Sequence, residues 1–212
     1  MRDRLRAAVL TASCLAIALT VATGCEAAYL TVPIPPNAAE AAEQLDTLTV
    51  APQHSMRGYS RNRFAHWSDQ GNECDTREVV LRRDGQNVTT GGRCDPVRGT
   101  WRSKYDGLVL RNPRSLDIDH MVPLANAWRS GADRWTDARR KAFANDLVSP
   151  ELIAVSQSSN RSKGDQSPDQ WRPTNIQYWC TYARSWIAVK HEWNLSVTRA
   201  ETRALRQMLA SC

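Results

Sequence analysis

Beyond its first two dozen residues, the 212-residue sequence has no apolar run long enough to cross a bilayer as a helix. It has no internal repeat and no long low-complexity tract. No two of its six cysteines stand close enough for a zinc knuckle, and no His-Glu-x-x-His element of a zinc peptidase is present. Histidine is scarce, with four in all, and His54, His66 and His191 have no partners at ligand spacing. They read as surface or core histidines, which leaves His120 as the one set among chemistry-bearing neighbours.

What is present begins with an export pattern. Arg2, Arg4 and Arg6 precede an apolar run from Ala7 to about Gly24, the arrangement of a secretory signal. The run ends in Ala22-Thr23-Gly24-Cys25, small residues before a cysteine, as in a lipobox that makes Cys25 the lipid-bearing first residue. Ordinary cleavage near Ala27 and Ala28 is the competing reading. Residues 1–25 therefore read as a signal peptide, with a lipid on Cys25 deciding between anchoring outside the cytoplasmic membrane and release. Four cysteines remain for an oxidising compartment: Cys74, Cys94, Cys180 and Cys212. They allow three pairings, and chain proximity favours Cys74–Cys94 and Cys180–Cys212.

The formal charge is +6 with a pI near 9.2, falling to about +4 once the signal is removed. Such a surface suits a polyanion, either nucleic acid or anionic lipid headgroups. Residues 26–57, broken by Pro33, Pro35, Pro36 and Pro52, read as a tether with a short helix over 38–45. Residues 58–212 are enough for one domain with its own core.

Within that domain, Arg77 to Arg83 reads as a strand ending in an Asp84-Gly85 hairpin turn, with a second strand through Asn87 to Thr90. Thr136 is a good N-cap for a helix to about Asp146, and Ser167-Pro168 reads as another helix start. Trp179, Tyr182, Trp186, Val189 and Trp193 recur every three or four positions, so an amphipathic helix with a core-facing aromatic stripe is expected over 175–193. Thr198 and Glu201 form a capping box for a last helix.

The chemistry gathers in two stretches. Leu116-Asp117-Ile118-Asp119-His120 alternates as a half-buried strand does, with both carboxylates on one face, and Pro123 turns the chain. Forty residues after His120 comes Asn160-Arg161-Ser162-Lys163-Gly164-Asp165, preceded by the apolar Leu152, Ile153 and Val155. A strand ending in Asp-His, a second strand, and a helix bearing Asn and Lys are thus expected in that order. The intervening segment, with Trp128 and Trp135, reads as an insertion between the two strands.

These motifs resemble the HNH, or ββα-metal (His-Me finger), endonucleases. More narrowly they resemble the exported bacterial branch related to the C-terminal domain of GmrSD-type nucleases. Val122-Pro123, Ala154-Val155-Ser156, Cys74-Asp75-Thr76-Arg77-Glu78 and Trp171-Arg172-Pro173-Thr174-Asn175 belong to the same resemblance, which runs from about Tyr59 to Cys212. It implies an α+β fold: a ββα-metal core with an N-terminal hairpin, C-terminal helices and two disulfides. It implies His120 as general base, Asp119 and Asn160 as ligands of Mg²⁺ or Mn²⁺, and products with 5′-phosphate and 3′-hydroxyl ends.

Lys163 and Arg161 are then candidates for phosphate contacts. Asp117 and Arg77 are supporting candidates, Asp117 by orienting His120 or the metal's waters. Arg77 either joins an ion pair with Asp75 and Glu78 or reaches a phosphate. Glu151 stands where the family has its middle Asn. The function so implied is cleavage of DNA, and of RNA as a second substrate class, with little sequence preference and no obligate protein partner. Two competitors stand beside it. One is a non-catalytic envelope lipoprotein or nucleic-acid-binding module on the same fold. The other is a metal-dependent hydrolase of another envelope polymer.

Overall fold

The computed structural model describes residues 31–212. The signal-like run, Cys14 and the lipidation candidate Cys25 lie outside the described residues. In chain order the elements are α1 (Ala38–Thr47), α2 (Thr76–Asp84), β1 (Gln86–Thr90), β2 (Pro96–Arg102), β3 (Val109–Leu110), β4 (Leu116–His120), α3 (Leu124–Arg129), α4 (Asp137–Ala144), β5 (Leu152–Ser156), α5 (Gln157–Lys163), α6 (Trp179–Glu192) and α7 (Arg199–Leu209). The architecture is mixed, with helices around two small antiparallel sheets, β1-β2-β3 and β4-β5.

The helical side is built as its sequence periodicity demands. Along α6, Tyr182, Trp186 and Val189 are fully buried, while Trp179 and Trp193 pack at the margins. The Thr198–Glu201 capping box opens α7, and Thr136 caps α4. The tether reading does not hold for all of 26–57. Asn37 caps α1, which buries Ala41 and Leu45 against α6 and α7, and Val50 bridges Val197. Burial of Leu45 contributes roughly 1.5–3 kcal/mol, enough to make this stretch part of the body.

Two local expectations are corrected. Residues 76–84 form a helix, not a strand. Val79-Val80 favours a strand by at most about 1 kcal/mol, whereas Asp75 and Glu78 complete a capping box whose N-cap contributes roughly 0.5–2 kcal/mol. The hairpin falls one element later, between β1 and β2. Ser167-Pro168 opens a turn and not a helix, because Ser167 spends its hydroxyl on Asp169 and Gln170 within that turn.

The last two residues of α2 cover the free edge of β5. Asp84 accepts the Ala154 N–H at 2.7 Å, and Arg83 donates to the Leu152 carbonyl at 2.6 Å. An unpaired strand edge is thereby satisfied without a third strand.

Both disulfides pair as chain proximity favours, Cys74–Cys94 across 20 residues and Cys180–Cys212 across 32. Closing loops of that length stabilises by about 3–4 kcal/mol each in the chain-entropy account. Complete reduction is expected to lower the melting temperature by roughly 12–32 °C. Calorimetry on protein with its thiols counted would test this, and an unchanged transition with four free thiols would refute it.

Candidate active site

β4 and β5 pair from Leu116 opposite Ser156 to His120 opposite Leu152. The chain then enters α5 at once, with the Ser156 hydroxyl accepting the Ser159 N–H. The excursion between the strands carries α3 and α4, and Leu124 and Ala125 of α3 line the same cavity as Asp119 and His120. Asp117, Asp119 and His120 on β4 thereby meet Asn160, Arg161 and Lys163 on α5. Gly164 ends α5 at φ +53°, a left-handed conformation that glycine adopts without a Cβ penalty.

The two carboxylates of β4 have different surroundings. Asp117 is half-buried, and its Oδ2 accepts from Asn160 Nδ2 at 3.2 Å and lies 3.8 Å from Arg161 Nε. Asp119 is buried, and its Oδ2 accepts from both Tyr105 Oη and Lys163 Nζ, each at 2.6 Å. Lys163 Nζ also donates to the His120 carbonyl at 2.7 Å. Burial raises the Asp119 pKa above the ordinary carboxylate range, and the Lys163 ammonium and the Tyr105 hydroxyl oppose that rise. Lys163 is fully buried, so the expectation that it touches phosphate is corrected: its ammonium is spent on Asp119 and the end of β4. Arg161 is 70% exposed and pairs only loosely with Asp117, at 3.8 Å.

His120 is 4% exposed. Its Nε2 lies 3.0 Å from the Ala144 carbonyl. A carbonyl only accepts, so Nε2 carries the proton in the neutral ring and Nδ1 carries the lone pair. Burial pushes the imidazole pKa down to about 3, which keeps the ring neutral near pH 7. The ring stacks on Trp67 at 5.8 Å and 21°, and His66 meets it edge-on. Trp67 itself sits at φ +60°, a conformation that costs a non-glycine residue energy and persists only where the surroundings impose it.

Glu151 holds the chain just past His120. It is fully buried, its Oε2 accepts the Val122 N–H at 3.0 Å, and its backbone carbonyl accepts the Met121 N–H at 2.6 Å. Burial raises its pKa well above normal. Arg77 forms no ion pair with Asp75 or Glu78, which serve as the α2 cap. Its guanidinium donates to the Pro113 and Leu116 carbonyls at the start of β4.

Asp119, His120 and Asn160 line one cavity of about 260 Å³, together with Tyr59, Arg61, Gly164 and Asp165. A larger depression of about 380 Å³ lies between the segment at 32–35 and α6, and it holds none of these groups. Among the described residues no group of three or more His, Cys, Asp or Glu side chains gathers at metal-binding distance. Sequence reasoning missed Arg61, the Trp67 stack and the Tyr105 hydroxyl. Trp67 and Tyr105 stand outside both chemistry-bearing stretches, and Arg61 sits in a short basic run with no spacing to β4 or α5.

The model of the GmrSD restriction endonuclease C-terminal domain matches residues 75–208. The chain is also 52% identical over 184 residues to an "uncharacterized secreted protein" of Arthroderma benhamiae, covering 85% of this chain and 90% of that one. That relative is fungal, so the restriction to a bacterial branch finds no support. No solved structure matches the chain. The chain belongs to the family of GmrSD restriction endonuclease C-terminal domains.

Proposed function

We propose that this chain is an exported, metal-dependent endonuclease of the HNH type, hydrolysing phosphodiester bonds of DNA with little sequence specificity and accepting RNA as a second substrate class. The observation that carries the reading is the convergence of Asp119, His120 and Asn160 on one cavity, with the His120 ring neutral and anchored through Nε2. β4, β5 and α5 are read as the ββα unit. Export rests on the secretory pattern of residues 1–25 and on the fungal relative being a secreted protein.

The donor set fits a hard cation. With Asp119 Oδ2 occupied by Tyr105 and Lys163, Oδ1 remains for a ligand, and Asn160 offers its amide oxygen once Nδ2 has gone to Asp117. Two protein oxygens are few, which suits Mg²⁺ or Mn²⁺, ions that keep several waters and take phosphate oxygens as further ligands. When bound, the cation supplies charge neutralisation at the scissile phosphate and the leaving oxygen.

The remaining work falls to this chain's own groups. His120 Nδ1 accepts a proton from the attacking water, while the Ala144 carbonyl and the Trp67 face fix the ring. Lys163 holds Asp119 and the His120 carbonyl in place, and Glu151 holds the turn that follows. Arg61 and Arg161 are positioned to pair with phosphates flanking the cut.

A supercoiled-plasmid assay on residues 26–212 under oxidising conditions tests the proposal. Nicking is expected with Mg²⁺ or Mn²⁺ and none with EDTA. Folded protein that binds DNA but cleaves neither DNA nor RNA with any divalent metal would replace this reading with that of a binding module.

A further inference from the structure

The structure has a second basic feature that the cleavage chemistry does not use. A depression of about 360 Å³ is lined by Arg77, Arg111, Asn112, Pro113, Arg114, Asp95 and the first two residues of β2, Pro96 and Val97. Arg77 is committed to backbone carbonyls, but Arg111 and Arg114 are exposed. Among the described residues neither guanidinium has an ion pair or a hydrogen-bonded acceptor, although Asp95 lines the same depression.

The backbone under these two arginines is held from three sides. Asn112 caps the turn at 113–115 through the Arg114 N–H, Arg77 grips the Pro113 and Leu116 carbonyls, and Gln157 Nε2 donates to the Arg114 carbonyl at 2.9 Å. Gln157 lies on α5 one turn before Arg161, and residues four apart share a helix face. Arg114, Gln157, Arg161 and the Asn160 edge of the cavity therefore form one continuous ridge, and Arg61 lines the same cavity.

We infer that Arg111 and Arg114 form a phosphate-binding exosite that grips the substrate backbone away from the cut, extending the nucleic-acid track along α5. The inference rests on the nuclease reading and adds its footprint. β4 separates the two places, and at about 3.3 Å per residue five residues span roughly 16 Å. Each duplex strand carries one phosphate per about 3.4 Å of axis, so the exosite meets phosphates about four to five base pairs from the scissile bond. Two guanidiniums on a braced backbone that contact only phosphate would strengthen binding without reading sequence, in keeping with weak specificity.

The test measures binding of fluorescein-labelled 20-base-pair duplexes to residues 26–212 by anisotropy in EDTA, across a salt series. The double variant R111Q/R114Q is compared with R199Q/R203Q, which removes the same charge from the exposed face of α7. R111Q/R114Q is expected to bind about tenfold more weakly for every sequence, with a salt slope shallower by about 2 and an unchanged melting temperature. R199Q/R203Q is expected to stay near the wild type. Equal weakening in both variants would reduce the effect to net charge and overturn the exosite.

Wild-type protein that binds and cleaves while R111Q/R114Q binds equally well would also overturn the exosite and leave the nuclease reading standing. Protein that neither binds nor cleaves would remove both. Phosphatidylglycerol vesicles supply the remaining arm: loss of vesicle binding in R111Q/R114Q with duplex binding intact would make the patch a membrane contact and refute the inference.

Discussion

Replacing His120 with alanine is expected to lower metal-dependent plasmid nicking by about 10²–10⁴-fold, the range that a positioned general base supplies. His120 is the histidine that lines the cavity, and its neutral form is secured by burial and not by chance of pH. Its orientation is fixed twice, by the bond from Nε2 to the Ala144 carbonyl and by the Trp67 stack. Alanine also leaves a gap beneath Trp67, so lost activity alone would confound chemistry with packing. His120→Asn is the companion variant, because its amide can reach toward the Ala144 carbonyl and fill part of the space. Both variants are expected to be nearly inactive, with His120→Asn melting within a few degrees of the wild type. If a folded variant nicks plasmid within about tenfold of the wild-type rate, His120 is not the base.

Lys163→Met is expected to cost about 3–5 kcal/mol of stability, because it strands a buried carboxylate that has lost its cation. For a chain of this size that lowers the melting temperature by roughly 6–20 °C. The cause is the burial on both sides: Lys163 has no exposed side chain, Asp119 is 6% exposed through its own, and their charged atoms are 2.6 Å apart. An exposed pair at the same distance would contribute about 1 kcal/mol at most. The double variant Lys163→Met with Asp119→Asn removes both charges and should recover much of the loss, giving a coupling well above 1 kcal/mol in a double-mutant cycle. Additive losses would show that Lys163 acts through packing against Trp186, 5.8 Å from its ammonium, and not through Asp119.

The elements whose signals are local were legible before any coordinates. β4 shows in its apolar–acidic alternation, β5 in its apolar run, α6 in its 3.6-residue aromatic stripe, α4 and α7 in their caps. Strand β4 followed by an Asn- and Lys-bearing helix was legible as an order of parts. Where two local signals competed, as in 76–84, β-branched residues misled because the Asp75–Glu78 cap outweighed them. The tether misled because prolines break a chain visibly, whereas the partner that buries Ala41 and Leu45 lies more than a hundred residues away.

The sequence by itself determined the chemical inventory: one histidine beside an aspartate, an asparagine forty residues further on, four cysteines for two bridges, and a leader pattern. Those facts depend on residue type and near spacing, which the chain carries openly. Tertiary structure alone decided how the inventory is used. It turned Lys163 inward onto Asp119, set Glu151 under the Val122 N–H, brought Arg61 to the cavity, and left Arg111 and Arg114 unpaired on a braced ledge. A lysine reads the same in sequence whether it meets solvent or a carboxylate. Burial and the distance to a partner far along the chain make that difference, and both arise only when the chain closes on itself.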